Sequence, residues 1–159
     1  MATPVVCAAG EGPRYWFYGG GVHEWKVTDQ QSDGAIFVFE DELVKGKTTP
    51  YHLHADETEC VYVLSGEILV NIDGDEQVVG EGGFTMTPPG TPHAFIVTSE
   101  RARLLAIHAP GAGAAFYLGA SEPATPELEK AAPVDFDRVT ASAARTGGMR
   151  VLGPPPFAR

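Results

Sequence analysis

Cysteine is scarce in this chain, with two residues, Cys7 and Cys60, among 159. Cys7 falls in an irregular N-terminal stretch and Cys60 inside a strand-like run. That excludes a disulfide framework and leaves a hydrophobic core to hold the fold. Basic residues are also few. Eleven Lys and Arg against 21 Asp and Glu give a formal charge of −10. A nucleic-acid-binding surface needs a basic stripe to displace phosphate counterions, and there is none. An anionic membrane surface would repel the chain for the same reason. No segment approaches the roughly 18 consecutive apolar residues that cross a bilayer. The opening Met1-Ala-Thr-Pro-Val-Val-Cys-Ala-Ala-Gly10 lacks a basic n-region, and its apolar run is too short for a signal peptide. The expectation is a reduced, cytoplasmic protein that binds neither nucleic acid nor membrane.

What is present is an ordinary globular balance, 43% hydrophobic and 20% charged, at a length that suits one domain. Nineteen Gly and 13 Pro suit many short strands joined by turns. Residues 1–12 read as a tail. Tyr15-Trp16-Phe17-Tyr18, three glycines and Val22–Val27 read as two short strands or one bent one. Ala35–Phe39 is a short apolar run of strand length. Tyr51–His54, Glu59–Leu64 and Glu67–Ile72 follow, the last with Ile68, Val70 and Ile72 on one face. Asp73-Gly74-Asp75 signals a hairpin turn, with Gln77–Val79 as the return strand. Phe84–Thr87, His93–Val97 and Arg103–His108 complete the pattern. The spacing predicts an all-β fold over 13–119, a sandwich or barrel, without internal repeat.

Beyond Gly119 the composition changes, and 120–159 reads as a helical extension packing on the barrel. Thr125-Pro126 can start a short helix through Lys130. Asp135–Arg145 is a second helix, with Phe136, Val139 and Ala143 on one face and Gly147 as its stop. Pro154–Pro156 then runs extended.

The chemistry is concentrated in two stretches. In a strand, side chains two apart share a face, so His52 and His54 aim at one point. Glu59, on the next strand, adds a carboxylate. His93 opens a later strand after the tight corner Pro88-Pro-Gly90-Thr-Pro92. Two histidines and a carboxylate make a three-ligand face for a first-row metal, with His93 as a fourth ligand. If Glu59 points inward, so do Val61 and Val63, while Cys60 and Tyr62 point out. If His93 points inward, Phe95 and Val97 follow. The inner set is then apolar apart from the ligands, as a dry metal pocket requires.

These residues resemble the two motifs of the cupin superfamily, G-x5-H-x-H-x4-E-x6-G at 46–66 and G-x5-P-x-G-x2-H at 82–93. The family's second motif usually ends in Asn, where this chain has Val97. The resemblance implies a single cupin-type (jelly-roll) β-barrel with short C-terminal helices. The segments Gly10–Gly21 and Val134–Pro156 further resemble quercetinase-like monocupins. That implies a metal-dependent dioxygenase acting on an aromatic or enolisable hydroxy-ketone. One divalent metal (iron, manganese, nickel, cobalt, copper or zinc) would sit on His52, His54, Glu59 and His93, with Glu59 also the base that accepts the substrate's hydroxyl proton. The alternatives are a metal-dependent isomerase or cyclase of secondary metabolism, and a non-catalytic small-ligand-binding cupin. The resemblance also implies a homodimer.

Other polar and aromatic residues receive plainer expectations. His23 and His108 are read as ordinary strand residues, Cys60 as a packing thiol, and Asp56 and Glu57 as solvated turn residues. Tyr15 to Tyr18 are assigned to core or dimer packing.

Overall fold

The computed structural model describes residues 1–126 and 134–157. Its strands are β1 (Arg14–Phe17), β2 (Val22–Val27), β3 (Phe37–Val44), β4 (Tyr51–His54), β5 (Thr58–Ser65) and β6 (Glu67–Ile72). They continue as β7 (Asp75–Gly80), β8 (Phe84–Thr87), β9 (His93–Val97), β10 (Arg101–Ala109), β11 (Ser121–Pro123) and β12 (Met149–Gly153). Two helices, α1 (Ala114–Gly119) and α2 (Phe136–Thr146), lie in the last third. One sheet runs β11-β1-β2-β3-β10-β5-β8 and the other β12-β4-β9-β6-β7. All pairs are antiparallel, and the two sheets form the all-β jelly roll that the family resemblance implies.

Local chemistry explains the corners. The β6–β7 hairpin turns on Asp73 and Gly74, at φ 53° and 92°. Two successive positive φ values match the twist of a tight hairpin, which is why Asp-Gly stands there. Gly66 closes β5 at φ +83°, and a Cβ there would lie 2.3 Å from the Arg101 carbonyl, so this motif position admits only glycine.

Strand alternation places the core. On β5, Val61 and Val63 are buried while Tyr62 is 40% exposed, as the parity of Glu59 requires. β3 is longer than the apolar run Ala35–Phe39 suggests. Its inner face carries Phe37, Phe39, Asp41 and Leu43, and the acidic residues between them mask the period. An aromatic cluster (Phe17, Trp25, Phe37, Phe39, Phe116, Tyr117) fills one part of the interior, and an aliphatic cluster (Leu43, Val61, Val63, Ile68, Val97, Leu104) fills another. Phe17 belongs to the core, with Tyr15 and Tyr18 packed against it.

The second expected helix is present. The Asp135 side chain accepts from the Arg138 N–H at 3.1 Å, and Gly147 ends α2 at φ 72°, donating to the Ala143 carbonyl. Ser142 Oγ–H, fully buried, donates to the Phe116 carbonyl at 2.9 Å and ties α2 to α1. Most of the helix expected from Thr125 to Lys130 lies outside the described residues. Two elements were not anticipated. β11 extends the first sheet beside β1, and β12 pairs with β4, setting Met149 opposite His54 and Val151 opposite His52. The segment 149–153 is short and flanked by glycines and prolines, so its strand character comes from the partner it finds. Among the described residues no helix is long and apolar enough to cross a membrane.

Candidate metal centre

β4 carries His52 and His54 inward, and both are buried. β9 lies beside β4 with His93 directly opposite His52, and β5 brings Glu59 across from the other sheet. Donor atoms of His52, His54, Glu59 and His93 all lie within 4.8 Å of one another. The ring centroids of His52 and His93 are 4.3 Å apart. All four sequence-predicted residues therefore meet at one place.

Hydrogen bonds set the tautomers. His52 Nδ1–H donates to the Pro50 carbonyl at 2.8 Å, and His93 Nδ1–H donates to the Thr91 carbonyl at 2.9 Å. A carbonyl only accepts, so Nδ1 carries a proton, and in the neutral ring each Nε2 is the nitrogen that can ligate. His93 Nε2 is buried with no hydrogen-bond partner, although Glu59 Oε2 is 3.5 Å away. His54 Nε2 lies 2.9 Å from Glu59 Oε2, and its Nδ1, also unpartnered, is 3.6 Å from Glu57 Oε2. Buried nitrogens left without partners are unfavourable unless something binds there. Three imidazoles and one carboxylate suit a divalent transition metal, so this donor set can hold one.

The electrostatics agree. Burial pushes the Glu59 carboxyl up, but the hydrogen bond from His54 and the closeness of the His93 and His108 rings outweigh it and hold the group well below the usual carboxylate range. Glu59 is thus an anion in this setting. Burial, with neighbouring His93 and His54, lowers His52 to about 3, keeping it neutral and able to ligate.

The structure corrects the reading of Glu57. It is not a solvated turn residue but 2% exposed, while Asp56 beside it does face solvent. Its Oε2 accepts from His108 Nδ1–H at 3.2 Å, and Tyr117 O–H donates to His108 Nε2 at 3.2 Å. His108, fully buried, stands opposite Glu59 on β10, with Nε2 3.9 Å from Glu59 Oε2. His54, Glu57 and His108 form a second compact group of donors. A signal for both residues existed. Glu57 shares the parity of Glu59, and His108 continues the buried alternation Ala102, Leu104, Ala106.

The site opens into a cavity of about 600 Å³, its solvent-open mouth included. Phe17, Phe39 and Phe95 line it, together with Phe136 and Val139, so α2 forms part of the cavity wall. Lys47 and Asp41, neither anticipated as site residues, line it too.

Fold and site together define a cupin. The cupin domain model matches residues 39–108, and the chain belongs to that family. Over 119 residues it is 32% identical to quercetin 2,3-dioxygenase of Bacillus subtilis, a match covering 72% of this chain and 34% of the relative. The chain thus spans about a third of that relative's length. Among solved structures, KdgF from Halomonas sp. superposes with a TM-score of 0.62 at 15% identity, over 68% of this chain and 94% of that one. An RmlC-like cupin from Shewanella frigidimarina gives a TM-score of 0.57 at 21% identity, over 69% and 95%. At such identities the structural likeness speaks for the fold alone.

Proposed function

We propose that His52, His54, Glu59 and His93 bind one divalent transition metal, and that the protein is a metal-dependent dioxygenase of quercetinase type. Its substrate is an aromatic or enolisable hydroxy-ketone. The observation that carries this reading is the unpartnered, buried His93 Nε2 facing an ionised Glu59 in a largely apolar cavity. The likeness to the Bacillus enzyme supports the reaction class.

A bound metal supplies Lewis acidity toward the substrate's oxygens and the redox chemistry that oxygen requires. The remaining work belongs to the chain. The Pro50 and Thr91 carbonyls hold the rings of His52 and His93 with Nε2 facing inward. The Glu59 carboxylate accepts the substrate's hydroxyl proton. Phe17, Phe39 and Phe95 give an aromatic ring apolar walls and keep water away from it.

Elemental analysis of the purified protein, followed by an oxygen-uptake screen of flavonols and diketones, tests the reading. One metal per chain and turnover only under air are expected, both lost in His52→Ala and His93→Ala while the barrel stays folded. Turnover without oxygen would assign the isomerase or cyclase class instead. Ligand recovered unchanged from the metal-loaded protein under air would assign a binding module.

The same reading takes the protein as a homodimer formed along β8. This strand ends its sheet, and Phe84 and Met86 on it are each 56% exposed beside Tyr62. An apolar sheet edge of this kind invites pairing with a second copy.

A further inference from the structure

A buried cation faces the cavity from a wall of its own. Lys47 follows Gly46 between β3 and β4 and is 9% exposed. Its Nζ lies over the Phe95 ring, 4.6 Å from the centroid, and 5.8 Å from the centroid of Phe17. Among the described residues this ammonium has no hydrogen-bond or ion-pair partner. Asp41, on the inner face of β3, is also buried, with Oδ1 unpartnered by hydrogen bonds and 3.4 Å from His23 Nε2. Lys47 and Asp41 line the same cavity as His52 and Glu59.

Taking an ammonium group out of water is costly unless hydrogen bonds or an opposite charge compensate. Two aromatic faces offset part of that cost. The three N–H donors of Lys47 meet no protein acceptor among the described residues, in a cavity whose other walls are mainly apolar. A ligand oxygen with negative charge is the chemistry that would use them.

We infer that Lys47 anchors an anionic oxygen of the substrate, so that the cavity selects a hydroxy-ketone bearing a carboxylate on the side of the molecule away from the chelating oxygens. This inference rests on the hydroxy-ketone reading and narrows it to acidic members of that class. Lys47 takes the carboxylate while the hydroxy-ketone oxygens meet the group formed by His52, His54, Glu59 and His93. Phe95, which packs against the Lys47 ammonium and lines the cavity, offers its face to the ring between them.

Kojic acid and comenic acid make a matched pair of probes. They share a hydroxypyrone ring, and comenic acid carries a carboxylate where kojic acid has a hydroxymethyl group. Titration calorimetry on the metal-loaded protein should give comenic acid an affinity about tenfold or more above that of kojic acid. In Lys47→Met the two should bind alike, with a circular dichroism spectrum matching the wild type to report an intact fold. Comenamide, the neutral amide, should bind the wild-type protein no better than kojic acid, a result that needs no variant. Equal affinities in the wild type, a preference kept in Lys47→Met, or comenamide matching comenic acid would each overturn the anchor. A comenic acid preference that survives in metal-free His52→Ala would leave the anchor standing and remove chelation at the metal instead.

Discussion

His108 and Glu57, 51 residues apart in the chain, meet at 3.2 Å in the barrel interior, where His108 is fully buried and Glu57 nearly so. The same Glu57 oxygen faces the unpartnered Nδ1 of His54 at 3.6 Å, so one carboxylate stands behind two imidazoles. When a metal takes the Nε2 of such a histidine, the proton belongs on Nδ1 and needs an acceptor there. Carboxylates in this position orient the ring and raise its basicity.

Glu57→Gln should therefore weaken metal binding by about tenfold or more, read by competition with a chelator. Glu57→Ala should in addition cost about 1–3 kcal/mol of stability in urea, because His108 Nδ1–H is left buried without an acceptor. Unaltered metal affinity in both variants would show that His54 is oriented without Glu57.

The metal-free protein should lose stability on acidification between roughly pH 6.5 and 4.5. Burial holds His23 and His52 neutral, with folded pKa values below the unfolded one, so unfolding takes up two protons in this window. Asp41 acts in the opposite sense. Burial raises it to about 7, so the folded state already holds a proton that the unfolded state releases. The net slope should approach one proton, and Asp41→Asn should raise it toward two. Glu59, held low, contributes only below the ordinary carboxylate range, and His93, raised by Glu59 against burial, loses its contribution only as pH rises. Urea midpoints across pH on chelator-treated protein check this, and a slope left unchanged by Asp41→Asn would contradict it.

Removing β12 should loosen the metal centre although none of the four donors lies on it. A chain ending at Gly148 loses the ladder that sets Met149 and Val151 against His54 and His52, and β4 becomes a bare edge. Amides of β4 should exchange with solvent faster than those of β5, and metal affinity should fall. Equal protection of both strands would place the support of β4 elsewhere.

Met86→Glu, on the outer face of β8, should convert a dimer to a monomer by sedimentation without disturbing the fold, since Met86 is 56% exposed. A wild-type protein already monomeric at high micromolar concentration would remove the β8 interface.

The local grammar of this chain was readable in one dimension. Alternation put Val61 and Val63 inward with Glu59, and Asp73-Gly74 marked its hairpin. Asp135 and Gly147 bracketed their helix, and two spaced motifs named four side chains that do converge. Each of these depends on short-range periods and on residue types with one steric or chemical use. Other features depended on partners far away in sequence. The inward Asp41 was hidden among the charges of β3, and Met149–Gly153 became a strand only by meeting β4. Glu57 left the solvent because His108 arrived opposite Glu59. Lys47 became a cavity residue because Phe17 and Phe95 close around it. Burial of a charge is decided by what surrounds it in space, and that environment exists only once the sheets have packed.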